Sequence, residues 1–94
     1  MAVRIIVPIE AAAGKRDELI QALQALSIEV RQESGCEQFE LYQSTERPDQ
    51  LALLELWTDE TAQKAHSELN RKRESTSASL TKGATQYERY ITQS

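Results

Sequence analysis

The residues best suited to chemistry in this chain lie close together in the segment "LLELWTDETAQKAH" (53–66). The segment holds the single tryptophan, Trp57, the single histidine, His66, and the carboxylate of Glu55. An imidazole titrates near neutral pH, so His66 is the natural candidate for a general base. Trp57 could stack on a planar ring and exclude water. Glu55 shares a strand face with Trp57 and could orient His66 or hold a substrate hydroxyl.

Each of these residues also has a purely structural interpretation. A lone histidine on an amphipathic helix can be a hydrogen-bonded core residue, and a large aromatic such as Trp57 commonly fills a core. Glu55 on a partly buried strand needs a polar partner whether or not it is catalytic. The single cysteine, Cys36, has no neighbouring positive charge that would activate its thiol, so we interpret it as a small buried hydrophobic residue.

Length and composition predict one soluble domain over residues 1–94. The chain is 39% hydrophobic and 28% charged, with a net charge of −4 and no basic stripe, which argues against nucleic-acid binding. No apolar stretch approaches the roughly 20 residues of a membrane span, and the start lacks a signal peptide. A single cysteine fits a reducing, cytoplasmic location. We expect no metal, because one histidine and one distant cysteine make no ligand cluster, and no cofactor, because no glycine-rich phosphate loop is present.

Hydrophobic periodicity predicts four strands and two helices. Alternating patterns indicate strands at 3–9, 36–44, 51–57 and 85–91, the middle two forming a hairpin. A stripe of leucines predicts a first helix that starts near Lys15 and ends at Gly35. Thr58 or Asp59 can cap a second helix, which we expect to bury Ala62, Ala65, His66 and Leu69 and to thin out or fray over 71–83. The order β-α-β-β-α-β is the α+β, ferredoxin-like split βαβ arrangement with an antiparallel sheet.

The third predicted strand, "LALLELW" (51–57), is apolar on both faces. Two helices cover only one face of a sheet, and a face open to water should be polar. A second copy of the sheet packed face to face is the economical cover, so we predict a homodimer. A ligand or a partner protein on that face is the alternative.

With the elements placed, the residues resemble the antibiotic biosynthesis monooxygenase family. The resemblance rests on "ESGCEQFELYQS" (33–44), "LLELW" (53–57) and "TDETAQKAH" (58–66). The family's marks occur here in order, at Glu33, Gly35, Cys36, Phe39, Leu41, Tyr42, Glu55, Trp57 and His66. One departure follows the histidine, where the polar, serine-rich "SELNRKRESTSASL" (67–80) replaces the usual short turn and hydrophobic residue.

The resemblance implies a dimeric α+β barrel and a small, cofactor-independent oxygenase for quinols or polycyclic phenols. His66 and Glu55 are then the candidate catalytic residues, and Trp57, Tyr42 and Phe39 the candidate substrate contacts, with Tyr42 expected to face the same region as His66. Haem degradation is disfavoured, since the relatives that perform it use a second histidine. Two alternatives stay open. One is a proton-transfer isomerase that uses the same pocket. The other is a non-catalytic dimeric module that binds a small apolar ligand, and the serine-rich 75–81 segment is consistent with this second alternative.

Overall fold

A computed structural model of the chain describes residues 1–73, 78–83 and 86–92. The elements follow the expected β-α-β-β-α-β order, with a short 3₁₀ turn before the last strand. They are β1 (Ala2–Glu10), α1 (Arg16–Val30), β2 (Cys36–Gln43), β3 (Gln50–Trp57), α2 (Glu60–Lys72), the 3₁₀ turn Ala78–Leu80 and β4 (Glu88–Thr92). The predicted ferredoxin-like fold is confirmed. Residues 75–77 of the serine-rich segment, and residue 85 at the start of the predicted fourth strand, lie outside the described residues.

The four strands form one antiparallel sheet in the order β2-β3-β1-β4. Opposite residues of an antiparallel pair share a face, so the register determines what each face presents. Ile5 and Phe39 both lie opposite Glu55, and Val3 lies opposite Trp57, which places these side chains on one face. That face is covered by the helices and carries the buried apolar core, whose largest fully buried side chains include Trp57, Leu19 and Leu51.

Helix α1 ends earlier than the sequence predicts. Its last residue is Val30, and Gly35 instead closes the loop that leads into β2. Gly35 has a φ of +81°, which favours glycine, and a Cβ built there would lie 2.4 Å from the Cβ of Ala62. The glycine is thus needed for a turn and for the close approach of α2, and not as the end of the helix.

Helix α2 begins at the expected cap, because the Asp59 side chain accepts a 2.8 Å hydrogen bond from the backbone N–H of Ala62. The prediction of its buried face is partly wrong. His66 is buried as expected and Ala62 is half-buried, but Ala65 and Leu69 are exposed and Gln63 takes a buried position. The inward face is therefore partly polar, because Ala62 packs on the core whereas Gln63 and His66 border a cavity.

The second face of the sheet is left open in the single chain. It carries the other residue of each alternating pair, among them Ile6, Leu54 and Leu56, all of which are half-buried. Tyr42 and Tyr90 lie on the same face and are exposed. The described residues place both long helices on the opposite face. Among the helices in the described ranges, none is long and apolar enough to cross a membrane.

Candidate functional site

Three elements bring the predicted chemistry together between α2 and the sheet. Helix α2 presents His66 inward, β3 presents Glu55 and Trp57 on the helix side, and β2 adds Phe39, which lies opposite Glu55. All four side chains are at least 93% buried, with His66 the most exposed at 7%. The alternation of β3 and the inward face of α2 are what make this convergence possible.

The imidazole of His66 is held by two aromatic rings. It stacks on Trp57 with a centroid distance of 4.5 Å and an interplanar angle of 25°. Phe39 meets it edge-on, at 5.9 Å and 62°. The aromatic contacts fix the plane of the imidazole ring, because a rotation of the ring would break its stacking on Trp57 and bring it into collision with Phe39.

Glu33 makes the closest polar contact of the histidine. Its Oε1 lies 2.9 Å from His66 Nδ1, and the two side chains are only 10% and 8% exposed. The second carboxylate oxygen of Glu33 accepts a hydrogen bond from Arg73, which lies just past the end of α2. Glu33 is one of the marks of the resemblance, but no sequence signal paired it with His66, because 33 positions separate them.

Glu55 lies on the other side of the ring. Its Oε1 accepts a 3.0 Å hydrogen bond from Trp57 Nε1 and lies 3.8 Å from His66 Nε2, which is too far for a direct hydrogen bond. Burial raises the pKa of Glu55, and the negative charge of Glu33 adds to the rise, while the Trp57 hydrogen bond and the charge of His66 oppose it. The shifted pKa makes Glu55 easier to protonate than an ordinary surface glutamate.

A cavity of about 230 Å³ opens next to His66 and Glu55. Apolar side chains of the sheet and of α1 form one side, and polar side chains of α2 form the other. The lining residues are Ile5, Val7, Leu26, Phe39, Leu53, Glu55, Gln63, His66, Ser67, Asn70 and Tyr87. Sequence reasoning missed Gln63, Ser67 and Asn70, although their spacing around His66 is helical. That spacing is the available signal in the sequence, but polar residues on a helix are ordinarily assigned to its exposed side.

The structure does not bring every candidate to this cavity. Trp57 is fully buried behind His66 and is not among the residues that line the cavity. Tyr42 pairs with Ala52 on the open face of the sheet and is 47% exposed. The expectation that Tyr42 faces the same region as His66 is therefore wrong within one chain, since its neighbour Leu41 takes the inward position and strand residues alternate.

The single cysteine has simple surroundings. Cys36 is half-buried, and burial and the negative charges of Glu33 and Glu55 raise the pKa of its thiol. The thiol is thus held in its neutral form, as expected for a packing residue. No group of three or more histidine, cysteine or acidic residues in the described ranges is arranged to hold a metal ion.

Comparison with known proteins finds one matching family model and similar solved structures. The family model described as antibiotic biosynthesis monooxygenase matches residues 2–74. Among solved structures, PA3566 from Pseudomonas aeruginosa is 25% identical with a TM-score of 0.82, over 99% of this chain and 95% of that one. Rv0793 from Mycobacterium tuberculosis is 21% identical with a TM-score of 0.85, over 100% and 97% of the two chains. No curated protein matches the chain significantly.

Proposed function

Because the chain belongs to the antibiotic biosynthesis monooxygenase family, we propose that it is a cofactor-independent monooxygenase that acts on a small phenol- or quinol-type ring. His66 is the proposed general base. The observation that carries this proposal is the placement of His66 beside a cavity with one apolar side, where its Nε2 lies 3.8 Å from the carboxyl group of Glu55, which lines the same cavity. That distance is too long for a direct hydrogen bond, but a substrate hydroxyl in the cavity beside the two groups could hydrogen-bond to both.

In the proposed reaction the substrate supplies all four electrons that reduce O₂. His66 removes a proton from a substrate hydroxyl, and the resulting electron-rich ring reacts with O₂ at carbon. One oxygen atom stays on the ring and the other leaves as water with the two hydrogens lost by the quinol, so that quinol plus O₂ gives hydroxyquinone plus water. The protein removes a proton, returns it to the departing oxygen and keeps bulk water away from the intermediate.

The charges around the cavity support an uncharged substrate. Its described lining contains Glu55 but no lysine or arginine. The undescribed positions 74–77, 84–85 and 93–94 contain none either, by sequence. Arg73 is already paired with Glu33, and Arg89 with Glu60. A phosphate or carboxylate group would find no cation and would be repelled by Glu55, which disfavours a phosphorylated substrate of the isomerase type.

Oxygen uptake with menadiol or an anthrone tests the reaction. We expect one O₂ consumed per substrate above the uncatalysed blank and a loss of about 10²–10⁴-fold in rate for His66→Gln, the range that a general base contributes. Lys64→Gln, an exposed change on the same helix, is the matched control and should leave the rate unchanged. A normal rate in His66→Gln would refute the assignment of the base. Binding of the ring without oxygen uptake, seen as quenching of Trp57 fluorescence, would favour the non-catalytic module.

We also propose that the chain works as a homodimer whose subunits cover each other's open sheet face. The half-buried Ile6, Leu54 and Leu56 form an apolar strip there, and a stable interface of standard size buries about 800 Å² per partner. Tyr42 would then lie in the interface. Sedimentation equilibrium should give a dimer for the wild type and a monomer for Leu54→Glu, while Lys64→Gln stays dimeric. A stable wild-type monomer at micromolar concentration would refute this part.

A further inference from the structure

Glu33 lies where it can decide which nitrogen of the imidazole carries the proton. Its Oε1 is 2.9 Å from Nδ1, and a carboxylate can only accept hydrogen bonds, so Nδ1 must be the donor. In the neutral imidazole the other nitrogen, Nε2, then has the lone pair. Nε2 is the atom that faces Glu55, at 3.8 Å from its Oε1, and His66 and Glu55 both line the cavity.

Arg73 fixes the direction of the hydrogen bonds from itself to Glu33. Its guanidinium donates to the second oxygen of Glu33 at 2.5 Å, and arginine has no acceptor with which a reversed arrangement could be satisfied. The other charged group that contacts the ring is Glu55 from β3, and the thiol of Cys36, at the start of β2, lies close enough to Glu33 and Glu55 to feel their charges. Neither makes a hydrogen bond to Nδ1.

We infer that Glu33, anchored by Arg73, is the positioning residue of this site, which fixes His66 as the Nδ1–H tautomer with the Nε2 lone pair directed to the cavity. The inference deepens the proposed function, since a base must offer a lone pair to the substrate. It assigns to Glu33 the orienting role that the sequence suggested for Glu55. Glu55 hydrogen-bonds to Trp57 instead.

An isosteric substitution gives a sharp test. In Glu33→Gln, Arg73 still requires an acceptor, so the amide oxygen should turn to Arg73 and the amide NH₂ should face Nδ1. The amide then donates to Nδ1, which must hold the lone pair, and the proton moves to Nε2. We expect Glu33→Gln to reverse the tautomer while changing neither the size nor the shape of the side chain.

Nitrogen NMR reads the tautomer directly, because His66 is the only histidine and tag-free protein gives one set of ring signals. Long-range ¹H–¹⁵N correlations at a pH where the ring is neutral should show a protonated Nδ1 in the wild type and a protonated Nε2 in Glu33→Gln. The matched control is Glu29→Gln, which removes a carboxylate that also pairs with Arg73, at 3.6 Å, but that makes no contact with His66 in the structure. It should keep the wild-type pattern.

The experiment separates this inference from the proposed reaction. A protonated Nε2 in the wild type, or an unchanged pattern in a folded Glu33→Gln, would overturn the inference, whatever the activity. If Glu33→Gln fails to fold, the wild-type spectrum alone decides. If the reaction is also as proposed, kcat should fall about 10²–10⁴-fold in Glu33→Gln, because Nε2 no longer has a free lone pair. Absence of oxygen uptake in the wild type would count against the reaction and leave the tautomer result standing.

Discussion

Gly35 offers a prediction whose magnitude can be worked from the structure. In Gly35→Ala the new methyl group would lie 2.4 Å from the Ala62 Cβ and 2.8 Å from Thr58 Oγ1. Ordinary carbon contacts lie at about 3.5–4.0 Å, so α2 must withdraw by about 1 Å. A positive φ costs an alanine about 1 kcal/mol, and overpacking adds about 1–3 kcal/mol. We expect a total loss of about 2–4 kcal/mol in the free energy of unfolding.

Gly14→Ala is the matched control. Gly14 has a similar φ of +74°, but a Cβ there meets nothing within 4 Å. This variant should therefore lose only the free energy of unfolding that the positive φ costs an alanine. Urea unfolding followed by Trp57 fluorescence measures both variants at one protein concentration, since a dimer's stability depends on concentration. With a slope of about 1.5 kcal/mol per molar, the midpoint should fall by about 2 M in Gly35→Ala and by less than about 1 M in Gly14→Ala. Equal shifts would refute the reasoning that the approach of α2 requires glycine.

Two further outcomes follow from local contacts. Because burial raises the pKa of Glu55 in the folded chain, its contribution to stability is full below the ordinary carboxyl value of 4.5 and is lost as the pH rises through the folded pKa. Urea unfolding at a series of pH values should therefore show wild-type stability falling relative to Glu55→Gln from that value upward, and a constant difference would contradict the shift. Removal of the helix cap in Asp59→Ala should cost about 1 kcal/mol in thermal or urea unfolding, whereas Thr58→Ala, at the other predicted cap position, should cost less than about 0.5 kcal/mol.

The features that the sequence predicted well depend on short-range patterns. The alternation in β3 and the cap before α2 are decided by neighbours within a few residues, and both are found where expected. The inward face of α2 differs from the prediction because hydrophobicity is a poor guide to burial beside a cavity, where the polar Gln63 is buried. The pairing of Glu33 with His66 could not be predicted, since it depends on how closely the loop after α1 approaches α2.

The charges around His66 explain why this site would suit proton transfer. Glu33 carries one negative charge, and the positive charge of Arg73 compensates it. What remains is Glu55 and His66, and an uncompensated charge is costly at such depth. Electrical balance therefore favours the neutral, protonated form of Glu55, and burial raises the pKa of this carboxyl in the same direction. Because these atoms are 3.8 Å apart, the proton is not locked in a direct hydrogen bond. A substrate hydroxyl beside the pair could hydrogen-bond to both groups, with Nε2 as the acceptor and Glu55 as the group able to return a proton. The Glu33–Arg73 pair keeps these two roles from being exchanged.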